Sequence, residues 1–261
     1  MRVYGIDFSG ARDAGRRIWI AEGVADSGRL VIRRGFPLVD LPGSPLGREV
    51  ALRALTSFIA DLDPVSVVGI DTPFGLPLTV YGGARWRETI AFVSRYEDAA
   101  AFRRACVAAA AGRELRRETD CAARTPFSPY NLRLYRQTFH ALRDVLGPLV
   151  GSDNVRVAPM EETAAAGPTV IEVCPASTLK HLGLYAPYKG RVRAAARTRL
   201  VSALEQAAPL RIEPRVRARA VADPGGDALD SIVAALAAHR ASEHAKRPPG
   251  SAWRVEGFVY V

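Results

Sequence analysis

The sequence predicts an α/β fold: a mixed sheet of three antiparallel strands continued by parallel ones, flanked by helices and carrying a helical insertion. Three features predict it. Strand-like runs with only short glycine-containing turns between them open the chain, a β-branched run that is apolar on both faces ends at Asp71, and a strongly periodic helical segment starts at Gly226.

The opening runs are RVYGIDF at 2–8, RRIWIAEGV at 16–24 and RLVIRRGF at 29–36, and connections this short imply an antiparallel meander. From 46 to 62, Leu46, Val50, Leu52, Leu55, Phe58, Ile59 and Leu62 keep a helical apolar rhythm, which Pro64 stops. VSVVGID at 65–71 has the two-sided apolarity of a buried parallel strand. The order βββαβ, complete by residue 71, is that of an RNase H-like sheet. Thr72 to Gly83 read as a Pro/Gly-rich loop, and about 84–150 as a helical cap or insertion with a polar, turn-rich break at Thr119 to Tyr130. Further strands are expected at PTVIEVC, 168–174, and NVRVA, 154–158, then a closing helix from Gly226 to about Ala245 and a last strand in WRVEGFVYV. No repeat, low-complexity tract or interdomain linker interrupts the chain, so 1–261 reads as a single domain.

Composition removes several classes of function. The 261 residues are 48% hydrophobic and 24% charged, the make-up of an ordinary globular core. No segment approaches the roughly 20 apolar residues of a membrane span, and Met1 leads straight into a strand. The expectation is a cytoplasmic protein without a membrane partner. Cys106, Cys121 and Cys174 are odd in number and lack CxxC spacing, which suggests neither disulfides nor a thiolate zinc site and fits a reducing compartment. Cys174 has no histidine near it in sequence and reads as packing rather than as a nucleophile. The net charge of +9 fits a nucleic-acid partner; it equally fits the arginine-rich output of a GC-rich coding sequence. Arg113, Arg116 and Arg117, and Arg191, Arg193, Arg197 and Arg199, have helical spacing and read as solvated helix faces.

Four aspartates fall at the ends of core elements. Asp7 ends the first strand, Asp71 ends the central parallel strand, and Asp227 and Asp230 open the last long helix. A carboxylate at the end of VYGID or VVGID carries a desolvation cost unless it is paired, hydrogen-bonded or on a metal. With the first and fourth strands adjacent, Asp7 and Asp71 share a cleft at the carboxyl ends of the strands. Asp227 and Asp230, three apart, share a helix face that can join them. Such a cluster suits two hard cations, Mg²⁺ or Mn²⁺, roughly 3.5–4 Å apart, the arrangement used for in-line phosphoryl displacement. The plainer alternatives are a helix cap for Asp227 or Asp230 and a turn for Asp7 or Asp71.

GIDFSG at 5–10, GIDTPFGLP at 69–77, TDCAARTPFS at 119–128, IEVCPAS at 171–177, YK at 188–189 and GDALDSIVAALAA at 226–238 together resemble a domain family described as predicted nucleases with an RNase H fold. The DALD helix is similar to the final metal-binding helix of Holliday-junction resolvases of the RuvC type, although the second acid here is Asp71 rather than a glutamate. The resemblance implies that Asp7, Asp71, Asp227 and Asp230 are metal ligands. Glu172, in VIEVC, is a fifth acid that either reaches the cleft as ligand or base or pairs with an arginine. Arg12, Arg85, Arg124 and Lys189 are candidate phosphate contacts. His140, His181, His239 and His244 lack metal-ligand spacing, and the last two read as solvated.

The leading expectation is a divalent-metal-dependent nuclease. A non-catalytic nucleic-acid or protein-binding module on the same fold is the second reading, betrayed by a cluster too spread out for metal. An actin-like ATP-dependent phosphotransferase is the third, and it lacks here the duplicated unit and the glycine-rich phosphate loops.

Overall fold

The structure is a computed structural model of the chain and describes residues 1–152, 155–161, 167–243 and 250–261. Alternation in the first run builds β1 (Arg2–Asp7), with Tyr4 and Ile6 on one face and Val3 and Gly5 on the other. After one helical turn, α1 (Ala14–Arg17), the strands β2 (Trp19–Asp26) and β3 (Arg29–Pro37) complete the antiparallel meander. β2 begins at Trp19 rather than residue 16 because Gly15 is pressed against the chain at 45–46, where its N–H donates to the Leu46 carbonyl (3.0 Å). α2 (Arg48–Ala60) buries Ala51, Leu52, Leu55 and Ile59 on the Tyr4/Ile6 side and returns the chain to β4 (Val67–Asp71), parallel to β1.

The expected loop contains one helical turn, α3 (Leu78–Tyr81), and the insertion follows as α4 (Arg87–Ser94), α5 (Ala99–Ala109), α6 (Glu118–Ala122), α7 (Tyr135–His140) and α8 (Gly147–Gly151), the last two joined by a π-helical stretch at 141–146. Phe92, Phe102 and Phe139 extend the core begun by α2. α6 overlaps the start of the expected turn-rich break; the Asp120 carboxylate accepts the Arg117 backbone N–H (2.9 Å) at its start.

β5 (Arg156–Ala158) and β6 (Thr169–Val173) continue the sheet in parallel beyond β4; Asn154 of the expected strand lies outside the described residues. Then come α9 (Pro175–His181), α10 (Ala194–Ala207), the short edge strand β7 (Leu210–Ile212), α11 (Pro214–Ala222), α12 (Asp227–Glu243), α13 (Trp253–Glu256) and β8 (Val259–Tyr260). The tail expected for α12, with His244, also falls outside the described residues. The sheet order is β5-β6-β4-β1-β2-β3-β7 with β8 on β6, a mixed sheet with helices on both faces. WRVEGFVYV is strand only at β8. Trp253 is buried, the Glu256 carboxylate accepts the N–H groups of Leu78 (2.8 Å) and Glu118 (3.0 Å) at two other helix starts, and Gly257 turns the chain at φ +85°. Among the described residues no helix is long and apolar enough to cross a membrane.

Two glycines set the distance between the sheet and α12. A Cβ on Gly5 would lie 2.1 Å from both Ala235 N and Ser231 O, and one on Gly69, its register partner on β4, would lie 2.8 Å from Ala234 O. The helix therefore sits directly on the strand backbones and is buried from Ala228 to His239. His239, expected in solvent, is 1% exposed beneath this packing. Gly5→Ala should cost about 3 kcal/mol or more, and Gly69→Ala about 1–3 kcal/mol, because backbone cannot step aside as a rotamer can. Urea denaturation of both variants checks the magnitudes and their order.

Candidate metal and active site

Register and face decide which acids meet. Asp7 and Asp71 are directly paired across β1 and β4, and each stands two residues beyond the glycine that faces α12, so both lie on the α12 side of the sheet. The first turn of α12 brings Asp227 and Asp230 to the same place, and all four aspartates line one cavity of about 700 Å³ at the carboxyl ends of the strands.

The helix-cap alternative is answered by a different acid. The Asp223 carboxylate accepts the N–H groups of Gly225 (3.0 Å) and Ala228 (2.9 Å), so the start of α12 is satisfied without Asp227 or Asp230. Among the described residues the Asp7, Asp71 and Asp227 carboxylates have neither a hydrogen-bond donor nor an ion-pair partner. Asp230 has two: the Tyr188 hydroxyl donates to its Oδ1, and Lys189 Nζ lies 2.6 Å from its Oδ2.

The electrostatics follow from that imbalance. Burial, then the neighbouring Asp230, Asp71 and Asp227, hold the Asp7 carboxyl well above the usual range. Burial and Asp230 push Asp71 up to about 8, and burial and Asp223 push Asp227 up to about 6. Burial works to lower the Lys189 ammonium, but Asp230 and then Asp7 outweigh it, and the lysine stays charged. Burial, with Asp71 behind it, pushes the Cys174 thiol up to about 12, so the thiol lining this cavity is protonated at neutral pH.

Lys189 owes its place to Arg197. The Arg197 guanidinium donates to the carbonyls of Tyr188 (3.0 Å), Gly190 (2.8 Å) and Val221 (2.8 Å) and is 2% exposed. It was expected on a solvated helix face; its buried role replaces that reading. Gly226, at φ +79°, lets the Tyr188 ring reach the start of α12, where a Cβ would meet it at 2.9 Å.

Glu172 lines the same cavity from the other face of the sheet, level with Ile70. Arg117 grips it with Nη1 (2.8 Å) and Nη2 (2.5 Å), and the same guanidinium bonds Asp120 through Nε (3.0 Å) and Nη2 (2.8 Å). Glu172 also accepts the Phe74 N–H (2.9 Å), which fixes the proline-rich loop after Asp71. Arg117, expected on a solvated face, is 1% exposed and ties the helical insertion to the sheet. Of the candidate phosphate contacts, Lys189 lines the carboxylate cavity, Arg12 lines a neighbouring one, and Arg85 and Arg124 are exposed outside both. Arg117, Asp120, Tyr188 and Arg197 were not singled out from the sequence as parts of a site. For Tyr188 the available signal was its adjacency to Lys189 in a motif already noticed.

The donors suit a hard cation: they are carboxylate oxygens, three of them side chains without partners. As placed, however, no group of three or more His, Cys, Asp or Glu side chains among the described residues is arranged to hold a metal ion, and Asp230 is already bridged to Lys189.

Two outcomes test this electrostatic picture. Asp71 and Asp227 keep protons in the folded state, at about 8 and about 6, that the unfolded chain releases near 4, so the metal-free protein should lose stability as pH rises from about 4 to 8. Thermal melts across that range in EDTA measure it, and flat or rising stability would contradict the crowding of these half-buried carboxylates. Arg117→Met should cost about 3–5 kcal/mol by leaving Glu172 and Asp120 buried without their counter-charge; chemical denaturation reads the loss.

Comparison with curated proteins and with solved structures returns no match. A family model described as "Protein of unknown function (DUF429)" matches residues 5–253, a span that contains all four aspartates and Lys189, and the chain belongs to that family.

Proposed function

We propose that this chain is a divalent-metal-dependent nuclease on an RNase H-like fold, hydrolysing phosphodiester bonds of DNA or RNA in the cytoplasm. The observation that carries the reading is the cavity lined by Asp7, Asp71 and Asp227, from two adjacent strands and the helix across them, whose carboxylates have no hydrogen-bond donor or ion-pair partner among the described residues. Carboxylates in that condition, Asp7 buried and Asp71 and Asp227 half-buried, call for protons or a cation.

Asp7, Asp71 and Asp227 would hold a Mg²⁺ or Mn²⁺ ion, and Asp230 would join for a second ion once Lys189 releases it. A bound divalent cation supplies Lewis acidity and a water made acidic enough to attack near neutral pH. The chain's own residues do the rest. Lys189, charged and tethered through Arg197, contacts a phosphate oxygen; Tyr188 holds the Asp230 carboxylate in place; Glu172, engaged by Arg117, keeps the loop after Asp71 rigid.

A second reading, a non-catalytic binding module, has one observation in its favour. The cluster as placed is not arranged around a metal, and Lys189 already supplies a positive charge to it. Metal chemistry separates the two readings.

The purified chain should cleave single-stranded, duplex or branched oligonucleotides with Mn²⁺ and not with EDTA. Asp71→Asn and Asp227→Asn should each lower the rate at least about 100-fold, the loss of several kcal/mol of charge stabilisation, with unchanged circular dichroism. Metal-dependent cleavage surviving in both variants would sink the nuclease reading; oligonucleotide binding without turnover and without Mn²⁺ uptake by calorimetry would favour the binding module.

A further inference from the structure

The loop after Asp7 separates the carboxylate cavity from a second one of about 660 Å³, and Ala11 lines both. Arg12, Arg48, Arg136 and Arg143 line the second cavity, against Glu97 and Asp98. Asp98 is already engaged, its carboxylate accepting the Ala101 N–H (2.7 Å) as the cap of α5. Arg143 is paired with Asp144 (2.6 Å).

Two of the other three arginines are held by neutral groups, and Arg12 lines the cavity beside them. Arg48 donates to the Gly10 carbonyl (3.2 Å), Arg136 lies 4.8 Å from the centre of the Tyr135 ring, and among the described residues none of Arg12, Arg48 and Arg136 has a carboxylate partner. Guanidinium groups that are positioned but not neutralised are suited to phosphate oxygens. The two cavities also keep a fixed relation, because a Cβ on Gly10 would lie 2.8 Å from the Arg136 carbonyl: the loop between the cavities rests directly on α7.

We propose that the second cavity binds the phosphodiester backbone of a nucleic-acid strand whose reacting phosphate occupies the carboxylate cavity, the strand crossing between them at Ala11. This inference rests on the nuclease reading and adds to it the path of the substrate. The contacts are to phosphate, so they set register and affinity rather than sequence preference. The arrangement also gives part of the basic excess a location, because Arg12, Arg48 and Arg136 line the cavity that shares Ala11 with the acidic one.

The test is oligonucleotide binding to the full chain in EDTA, followed by fluorescence anisotropy of a labelled single strand at several salt concentrations. Arg12 and Arg136 are exposed, so the double variant Arg12→Ala, Arg136→Ala should fold normally. Its Kd should rise at least about tenfold, and the slope of log K against log salt should shrink by about 1.4, two phosphate contacts at about 0.7 each. An unchanged Kd and slope would overturn the path while leaving the nuclease reading intact. Inorganic tripolyphosphate, titrated by calorimetry, is the second probe: arginine-dependent binding of it without any oligonucleotide binding would overturn the nucleic-acid path. Arginine-dependent oligonucleotide binding without Mn²⁺-dependent cleavage would instead support the backbone site and remove the nuclease reading.

Discussion

The close seating of α12 on β1 and β4 is the constraint from which the rest of the site follows. With Gly5 and Gly69 bare, the helix backbone touches the strand backbone, and its first turn arrives at the strand ends level with Asp7 and Asp71. A larger residue at either position would lift the helix and spread the acids. Packing and chemistry are thus one design: the contact that buries the helix also gathers the carboxylates.

Gathering them has a cost that packing alone does not offset. Asp7, Asp71, Asp227 and Asp230 gather in the cavity and, among the described residues, Lys189 is the one cation bonded to these four. Burial and mutual repulsion hold their carboxyls up. Protons can neutralise the cluster when no cation is present, and a cation then has to displace those protons. Metal uptake by such a site is coupled to pH in the direction opposite to the apo protein's stability.

Legibility in the sequence was greatest where local pattern and tertiary structure agree. The meander, the helix ended by Pro64, the parallel strand ending at Asp71 and the start of the last helix are each set by short-range periodicity, and the acids at their ends inherit that clarity. Elements decided by distant partners were not legible. Trp253–Glu256 has strand-like composition but is helical because Glu256 serves two helix starts far away in sequence. Arg117 and Arg197 share the spacing of solvated arginines; they are buried because carboxylates or carbonyls from other elements surround them. Helical spacing reports a face, not what covers it. His239 shows the same limit, since a helix seated on bare glycines leaves little of its circumference to solvent.

The two buried charge systems at this end of the sheet differ in a way that bears on their roles. Around Arg117, two carboxylates close on one guanidinium with at least one hydrogen bond to each nitrogen, and the Phe74 N–H and Glu256 carbonyl complete the shell. That system is saturated, and removing any member leaves a buried charge uncompensated, so its part is to hold the insertion and the loop after Asp71 in place. The aspartate cluster on the opposite face of the sheet is, among the described residues, left short of donors at three of its four members, although the same chain is rich in arginine. A protein that needed these acids only for stability would be better served by apolar side chains of similar volume. An unsaturated anionic pocket beside a saturated brace is therefore the arrangement expected when one system fixes geometry and the other is kept open for a ligand.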